Sequence, residues 1–256
     1  MDLKEQVRLQ FGANASSYVD SPLHAKGDDL QLLKAWVQQE QPAAALDIAT
    51  GGGHASLVLA EHAGELTALD LTPEMLEAAE GLLSSRGRTN VRYVQGDAEA
   101  LSFADGAFDM VACRVAAHHF PNPDAFVRES ARVLKAGGSF LLLDNVAPEA
   151  DEPDALYNEI EKRRDPSHYR AWKKTEWIRR IELAGMKVDQ LVQTRKTFLF
   201  DSWCVRMSVP DAVRQELEAF MLGWPQPLRV QLSVVAEQGR IVSFQGDYMM
   251  LKARKL

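Results

Sequence analysis

The stretch 45-ALDIATGGGHAS-56 carries the strongest structural signal in the sequence. A short apolar run breaks at a threonine and three glycines, and a segment with helical character follows. A glycine-rich turn from strand to helix lets a ligand approach the backbone, and the helix N-terminus offers free N–H groups to an anion. The stretch nearly fits the dinucleotide pattern GxGxxG, but Ser56 stands at the last glycine position. A tight turn without a ligand is the alternative for this motif alone.

Working outward, residues 44–146 alternate between short apolar runs and longer amphipathic ones. The runs ALDIAT, ELTALDL, VRYVQGD, FDMVACRV and SFLLLDNV predict five strands. Helices are predicted at about 54–63, 73–86 and 123–135, with a less certain helical turn near 98–102. Strands that alternate with helices predict right-handed crossovers and a doubly wound, mostly parallel α/β sheet. Such a sheet binds ligands at the carboxyl ends of its strands.

The flanking segments differ from this core in pattern. Residues 1–40, 148–185 and 210–238 are predicted to be mostly helical, and a strand is predicted at about 186–199. The segment RIVSF-QG-DYMMLKA predicts a hairpin that turns at Gln245-Gly246. We expect one domain over 1–256, with a cofactor-binding core at about 40–146 and helical caps at about 1–40, 148–185 and 200–238.

The composition narrows the class of protein. The formal net charge of −7 argues against binding nucleic acid by phosphate neutralisation. Cys113 and Cys204 have no metal-binding spacing and fit a reducing compartment. The segment MDLKEQVRLQ does not resemble a signal peptide, and no apolar run is long enough to span a membrane. A cytoplasmic protein is expected. Its oligomeric state stays open, a homodimer included.

Two acids stand at the ends of predicted strands. Asp70 ends the second strand, where nucleotide-binding folds place the acid that accepts hydrogen bonds from ribose hydroxyls. Asp97 ends the third strand, where a side chain can accept from an adenine amino group while the next backbone N–H serves a ring nitrogen. A capping role is the alternative for each, and for Asp97 the two interpretations have equal weight.

Taken in order, ALDIATGGG, ALDLTPEM, VQGDAEALSF, FDMVACRVAAHHF and RVLKAGGSFLLLD resemble the successive motifs of class I S-adenosylmethionine-dependent methyltransferases. The nearest branch is that of the ubiquinone/menaquinone biosynthesis methyltransferases, which includes many uncharacterised bacterial members. The resemblance covers about 40–146 and extends weakly to 11-FGANASSY-18 and 172-WKKTEWIRRIELAGM-186. It implies a Rossmann-like, seven-stranded, mostly parallel sheet with a C-terminal antiparallel strand, and S-adenosyl-L-methionine as the cofactor.

The resemblance also implies a cofactor site. The glycines would wrap the methionine part, Asp70 would bind the ribose, Leu71 and Asp97 would contact adenine, and Arg114 would lie near the sulfonium. Tyr18 would close over the cofactor or the substrate, unless it is an aromatic packed in the helical cap. The corresponding residues are Gly51, Gly52, Gly53, Asp70, Leu71, Asp97, Ala98, Arg114 and Tyr18.

Two histidines are candidates for catalysis. Methyl transfer is an in-line displacement that rests on alignment, and it needs a base only when the acceptor must lose a proton. His118 and His119 follow the fourth strand in VAAHHFPNP, where acceptor-facing residues are expected, and His119 is narrowly preferred. A packed or capping histidine is the alternative for both.

One missing motif and one incomplete set of metal ligands restrict the class of methyl acceptor. The segment 113-CRVAAHHFPNP-123 lacks the Asn/Asp-Pro-Pro-aromatic motif of enzymes that methylate nucleobase amino groups or a glutamine amide. Asp144-Asn145 resembles the metal-binding pair of catechol O-methyltransferases, but Cys113-Arg114 replaces the further acid, so no metal site is expected. The predicted function is methyl transfer to carbon or oxygen of a small-molecule acceptor. An NAD-dependent oxidoreductase, disfavoured by Ser56 and Asp97, and a catalytically silent cofactor-binding module are the alternatives.

Overall fold

A mixed β-sheet organises the chain in the computed structural model, which describes residues 3–12 and 27–256. The sheet order is β3-β2-β1-β4-β5-β8-β6, and a short strand, β7, pairs with β8 outside this path. The first five strands pair in parallel, while β8 runs antiparallel to β5, β6 and β7. The strands are β1 Ala44–Ile48, β2 Glu65–Asp70, β3 Val91–Gln95, β4 Phe108–Arg114, β5 Leu134–Val146, β6 Met186–Leu199, β7 Val235–Glu237 and β8 Arg240–Lys255.

The described helices connect and flank these strands. They are α1 Leu3–Gly12, α2 Asp28–Glu40, α3 His54–His62, α4 Pro73–Ser85, α5 Pro123–Val133, α6 Asp151–Arg164, α7 Lys174–Leu183, α8 Phe200–Val205, α9 Asp211–Leu222 and α10 Gln226–Gln231. A 3₁₀ turn, Ala117–His119, follows β4. Asn122 caps α5 by accepting a hydrogen bond from the Ala125 N–H at 3.0 Å, and Pro73 begins α4 at the first helical position.

The core forms on both faces of the sheet, as the doubly wound prediction requires. Alternate β5 side chains point to opposite faces, because side chains in a strand alternate. Leu141 and Leu143 pack with α2 and α3, whereas Phe140 and Leu142 pack with α5 and α7. A third cluster joins α6 and α8–α10 to β8. The predicted fold class is confirmed, and helices flank the sheet in the described residues. With β7 the sheet has eight strands, one more than the seven that the resemblance implies. No helix in the described part of the chain is both long and apolar enough to cross a bilayer.

The predicted hairpin at Gln245-Gly246 is wrong. Residues 240–255 form one continuous strand, and Gly246 pairs with Lys196 of β6. A Cβ at Gly246 would lie 3.0 Å from the Tyr157 hydroxyl and from the Phe198 ring, so glycine serves a close approach here rather than a turn. The turn occurs earlier, at Gln238-Gly239, where both residues have positive φ and join β7 to β8.

The predicted helical turn near 98–102 is also absent. Asp97 and Ala100 form an isolated bridge, closed by a hydrogen bond from the Ala100 N–H to the Asp97 carbonyl at 3.1 Å. The segment is therefore a tight turn that keeps Asp97 and Ala98 at the carboxyl end of β3.

Candidate active site

A cavity opens at the carboxyl ends of β1 and β4. These two strands are neighbours in the sheet, and the strand order reverses between them, with β2 and β3 on one side and β5 on the other. Ligands of doubly wound sheets bind at such a switch point. Its empty volume is about 1020 Å³, part of it open to solvent, which suits a ligand the size of a nucleoside with a side chain. The cavity wall includes Lys4, Phe11, Ala49, Gly51, Gly52, Asp70, Leu71, Met75, Asp97, Ala98, Glu99, Arg114, Val115 and His119.

The loop after β1 is held from below by a buried carboxylate. Asp47 Oδ2 accepts hydrogen bonds from the Thr50 hydroxyl at 3.0 Å and from the Ser56 hydroxyl at 2.6 Å. Burial raises the pKa of Asp47 to about 6. Ser56 therefore has a structural role at the position where a dinucleotide motif has glycine.

The three glycines of this loop have different roles. Gly51 and Gly52 line the cavity. Gly53 is not part of the cavity wall, and its φ is 85°. A Cβ at Gly53 would lie 2.8 Å from Leu83 and 3.1 Å from Ala79, so this glycine allows α3 to pack on α4. The sequence motif did not distinguish the two roles.

Asp70 connects two sides of the cavity. Its Oδ2 accepts from the Gly51 N–H at 2.8 Å, and its Oδ1 accepts from the Thr72 N–H at 3.0 Å. Burial raises the pKa of this carboxyl group, although the backbone N–H groups act against the shift. The Thr72 side chain and the Leu71 N–H also act on this carboxylate. Because a carboxylate has about four acceptor sites, a ribose contact would add to the capping role or replace part of it.

Asp97 and Glu99 lie on the cavity wall below α1. Lys4 Nζ is 2.6 Å from a carboxylate oxygen of each acid. Asp97 Oδ1 also accepts from the Glu99 N–H at 2.9 Å, which fixes the turn after β3. The sequence did not indicate Lys4, because nothing in the local pattern relates α1 to β3.

Arg114 joins a cluster that the sequence did not reveal. Its Nε donates to Asp29 Oδ2 at 2.7 Å, and the Tyr248 hydroxyl donates to the same oxygen at 2.9 Å. Lys196 Nζ lies 3.7 Å from that oxygen and 3.2 Å from the centre of the Tyr248 ring. Although burial works the other way, the Arg114 and Lys196 cations lower the pKa of Asp29 to about 2. We call Asp29, Arg114, Lys196 and Tyr248 the Asp29 cluster.

The two predicted histidines lie side by side in different environments. Their ring centres are 4.2 Å apart. His118 Nδ1 is 2.7 Å from Asp144 Oδ1, and the Asp144 carboxylate raises the pKa of His118 against the effect of burial. His119 lines the cavity, but His118 is not part of its wall. Burial and the adjacent His118 lower the pKa of His119 to about 4.

The tautomer of His119 follows from its partner. His119 Nδ1 lies 3.0 Å from the carbonyl oxygen of Ser167, which can only accept. Nδ1 therefore carries the proton in the neutral ring, and Nε2 has the lone pair. The Phe11 ring meets His119 edge to face with a centroid distance of 5.0 Å.

A third histidine completes this group and was not predicted. His168 lies 5.5 Å from His118 and 6.4 Å from His119, measured between ring centres. Its Nε2 lies 3.0 Å from Asn158 Oδ1. Burial, followed by the two other histidines, lowers the pKa of His168 well below its usual value. Because it lies on the loop after α6, no spacing rule connects it to the fourth strand.

Two residues on the cavity wall have unusual backbone angles. Ala49 and Val115 have φ values of 56° and 55°, in the left-handed region that residues other than glycine seldom adopt. Val115 is β-branched, for which this conformation is costly. They directly follow β1 and β4, so the strain lies at the switch point where a ligand would approach.

Tyr18 lies outside the described residues. Among residues 3–12 and 27–256, no group of three or more His, Cys, Asp or Glu side chains is placed to hold a metal ion. Asp144, the acid that resembles a metal ligand, is hydrogen-bonded to His118 and to the Asn145 N–H at 2.8 Å.

Proteins named as methyltransferases are among those with similar sequences. A family model described as "Methyltransferase domain" matches residues 46–142. An uncharacterised methyltransferase of Bacillus subtilis, YcgJ, is 38% identical over 200 residues, which cover 78% of this chain and 79% of the relative. The chain belongs to the methyltransferase family.

Other relatives of this methyltransferase extend the comparison. A Bacillus halodurans C-125 protein assigned as a methyltransferase has a solved structure that is 45% identical, with a TM-score of 0.87. The match covers 90% of this chain and 99% of that one. The ubiquinone/menaquinone biosynthesis C-methyltransferase UbiE of Nitrobacter hamburgensis is 34% identical over 125 residues, but the match covers only 47% of this chain and 49% of that enzyme. The predicted family is confirmed.

Proposed function

We propose that this methyltransferase uses S-adenosyl-L-methionine to methylate carbon or oxygen of a small-molecule acceptor. The observation that carries the proposal is the Asp70 carboxylate on the cavity wall, which accepts a hydrogen bond from the Gly51 N–H of the loop after β1. Asp47 adds a carboxyl group beneath the loop after β1. A diphosphate would be repelled at this loop, whereas a cationic sulfonium would be attracted, and this supports S-adenosylmethionine over NAD.

The residues at the nucleoside end fit the cofactor. The Asp70 carboxylate lies on the cavity wall, where ribose hydroxyls can donate to its oxygens, and Leu71 beside it can pack on adenine. Asp97 can accept from the adenine amino group while the Ala98 N–H faces a ring nitrogen. Gly51 has open space where a Cβ would stand, so the amino-acid part of the cofactor can approach the backbone there.

The bound cofactor supplies an electrophilic methyl group on a positively charged sulfur. His119 lines the cavity, and its Nε2 has the lone pair because the Ser167 carbonyl holds the proton on Nδ1. A base with a pKa of about 4 is weak. It suffices here, because a hydroxyl or an aromatic carbon becomes strongly acidic as it gains the methyl group. His119 would then take the proton late in the transfer.

The acceptor is proposed to be a small molecule. The cavity wall beyond His119 is apolar and includes Phe11, Val115, Phe120 and Pro121. The net charge of −7 disfavours a nucleic acid as the substrate. We further propose that residues 1–256 act as one catalytic domain, since β8 from the end of the chain lies between β5 and β6.

Calorimetry with S-adenosylhomocysteine tests the cofactor assignment. We expect a dissociation constant in the low micromolar range, about −8 kcal/mol. NAD serves as the control ligand and should give no heat. A clear isotherm with NAD and none with S-adenosylhomocysteine would overturn the proposal.

A further inference from the structure

In the Asp29 cluster, the Lys196 ammonium group lies farther from the Asp29 carboxylate than the other two donors do, so its charge is poorly neutralised. Asp29 Oδ2 accepts from Arg114 Nε at 2.7 Å and from the Tyr248 hydroxyl at 2.9 Å, which uses both lone pairs of this oxygen. Lys196 Nζ reaches the same oxygen only at 3.7 Å. The remaining contact of Nζ is the face of the Tyr248 ring.

Within residues 3–12 and 27–256, the charged groups around Lys196 do not supply a second anion. Asp144 acts on it from a distance, but that carboxylate is engaged by His118 Nδ1, the His118 N–H and the Asn145 N–H. Arg114 adds a like charge. Asp247, on the neighbouring strand, lies 3.5 Å from Arg195 Nε.

The cluster is buried enough for this imbalance to be costly. The side chains of Asp29 and Arg114 are 3% and 6% exposed, and that of Lys196 is 26% exposed. Burial lowers the pKa of Lys196 to about 8, although Asp29 attracts its charge. A partly desolvated cation is stable only when an anion completes its surroundings.

The cluster also adjoins the cavity. Arg114 ends β4 and lines the cavity wall. Lys196 pairs with Gly246, two residues before Tyr248, so it lies at the end of the sheet where the cavity opens. Lys196 is not part of the cavity wall, but it lies 3.7 Å from the Asp29 oxygen to which Arg114 donates, so a carboxylate that reaches Arg114 comes close to both cations.

We propose that Lys196 and Arg114 bind a carboxylate group of a ligand held in this cavity. Two ligands can bring this group: the cofactor, through its amino-acid end, or the acceptor. The choice between them rests on the proposed function, because it requires S-adenosylmethionine as the cofactor. Lys196 is thus a binding residue, and Asp29 is the positioning residue that holds Arg114 and Tyr248 beside it.

The first experiment compares two nucleosides by calorimetry. S-adenosylhomocysteine carries the carboxylate, and methylthioadenosine is a thioether of the same nucleoside without the amino-acid end. The variants are Lys196→Met and, as the matched control, Lys187→Met, whose side chain is exposed on the same strand. If the cofactor supplies the group, Lys196→Met weakens the binding of S-adenosylhomocysteine at least tenfold and leaves the affinity for methylthioadenosine unchanged. Lys187→Met changes neither affinity.

The second experiment tests the acceptor as the source. Benzoate is added to the wild-type protein saturated with S-adenosylhomocysteine, with benzamide as the neutral control. If the acceptor supplies the carboxylate, benzoate raises the melting temperature, benzamide does not, and Lys196→Met abolishes the effect.

Nuclear magnetic resonance of lysine ¹³Cε in wild type, assigned with Lys196→Met or Lys196→Arg, gives a readout that does not depend on how well a variant folds. Whichever ligand binds there raises the pKa of Lys196 above about 8.

The outcomes separate the two proposals. If S-adenosylhomocysteine binds but neither it nor benzoate shifts the Lys196 resonance, the carboxylate site is wrong and the cofactor assignment stands. If the wild type binds neither nucleoside, the cofactor assignment fails, and benzoate alone still tests the carboxylate site. A Lys196→Met variant that loses stability as much as a broken ion pair would, with no effect on either ligand, would show a structural role only.

Discussion

Asp70 combines two tasks at one residue, because it holds the loop after β1 to the start of α4 and keeps acceptor capacity toward the cavity. We expect Asp70→Asn to weaken S-adenosylhomocysteine binding by well over tenfold. Each charge-assisted bond to a ribose hydroxyl contributes about 1.5–3 kcal/mol, and an amide offers one acceptor oxygen instead of two. Calorimetry measures the affinity. Asp105→Asn, at an exposed acid, is the control. Wild-type affinity in Asp70→Asn would limit this residue to its capping role.

Substitutions of His119 and of His118 are expected to have different effects, on turnover and on stability respectively. Once an acceptor is known, His119→Ala should lower turnover by about 10²–10⁴ and leave cofactor affinity within a few-fold, since a positioned base contributes that much. His118→Ala leaves Asp144 buried without its partner and should lower the stability instead, by about 3–5 kcal/mol. Steady-state kinetics and urea unfolding distinguish the two. Turnover that survives in His119→Ala would assign catalysis to alignment alone.

At the scale of elements, local patterns predicted most of the structure where sheet and helix periods are regular. The strands of the core and helices α3, α4 and α5 were predicted within a few residues. Their signals are local, because strands buried on both faces have continuous apolar runs and two of the helices begin at a proline, in α5 after an asparagine. The C-terminal hairpin failed for a physical reason. Gln-Gly occurs twice in residues 235–255, and only the close approach of Gly246 to Tyr157 and Phe198 distinguishes it from the turn at Gln238-Gly239.

Helix α1 is the element expected to respond to the ligand. It has ten residues, none of them buried, and such a short helix is marginal alone. Its ion pairs to Asp97 and Glu99 are about one-third exposed on the Lys4 side, where such pairs contribute about 0–1 kcal/mol. Val7 and Phe11 line the cavity, so a ligand there gives α1 apolar surface to cover.

We therefore expect S-adenosylhomocysteine to slow hydrogen exchange of α1 amides at least tenfold, measured by mass spectrometry. Lys4→Gln should speed this exchange and weaken the ligand less than fivefold, since the ion pairs are weak. Helix α9, with Leu217 and Met221 buried and no residue on the cavity wall, is the internal control. Unchanged exchange in α1 would remove this helix from the ligand site.

At the scale of the whole molecule, the site is completed by contacts that no local pattern records. Tyr248 donates to Asp29 across 219 positions of sequence, and His119 contacts Ser167 across 48. The sequence could therefore predict the residues at strand ends, whose position follows from the sheet itself. It could not predict Lys4, His168 or Lys196, because helices and strands far along the chain bring them to the cavity.

The buried carboxyl group of Asp47 links the stability of the whole fold to pH. Between pH 3.8 and about 6 the folded protein keeps Asp47 protonated while the unfolded chain ionises it, so this group reduces stability as pH rises through that window. A rise from 3.8 to about 6 corresponds to at most about 3 kcal/mol. Asp47→Asn keeps an acceptor for Thr50 and Ser56 but has no charge to desolvate.

We expect the stability of Asp47→Asn relative to wild type to increase from pH 4 to pH 6 and to be constant above about pH 7. Urea unfolding across this range measures the difference, in which the opposing contributions of His119 and His168 cancel. A difference that does not vary with pH would mean that Asp47 titrates normally.

The charge that destabilises the fold also attracts the sulfonium, so Asp47→Asn should weaken the binding of S-adenosylmethionine more than that of the neutral thioether S-adenosylhomocysteine. Equal weakening would assign Asp47 to loop geometry alone, whereas a selective loss would explain why a carboxylate is kept in a buried position that costs stability at neutral pH.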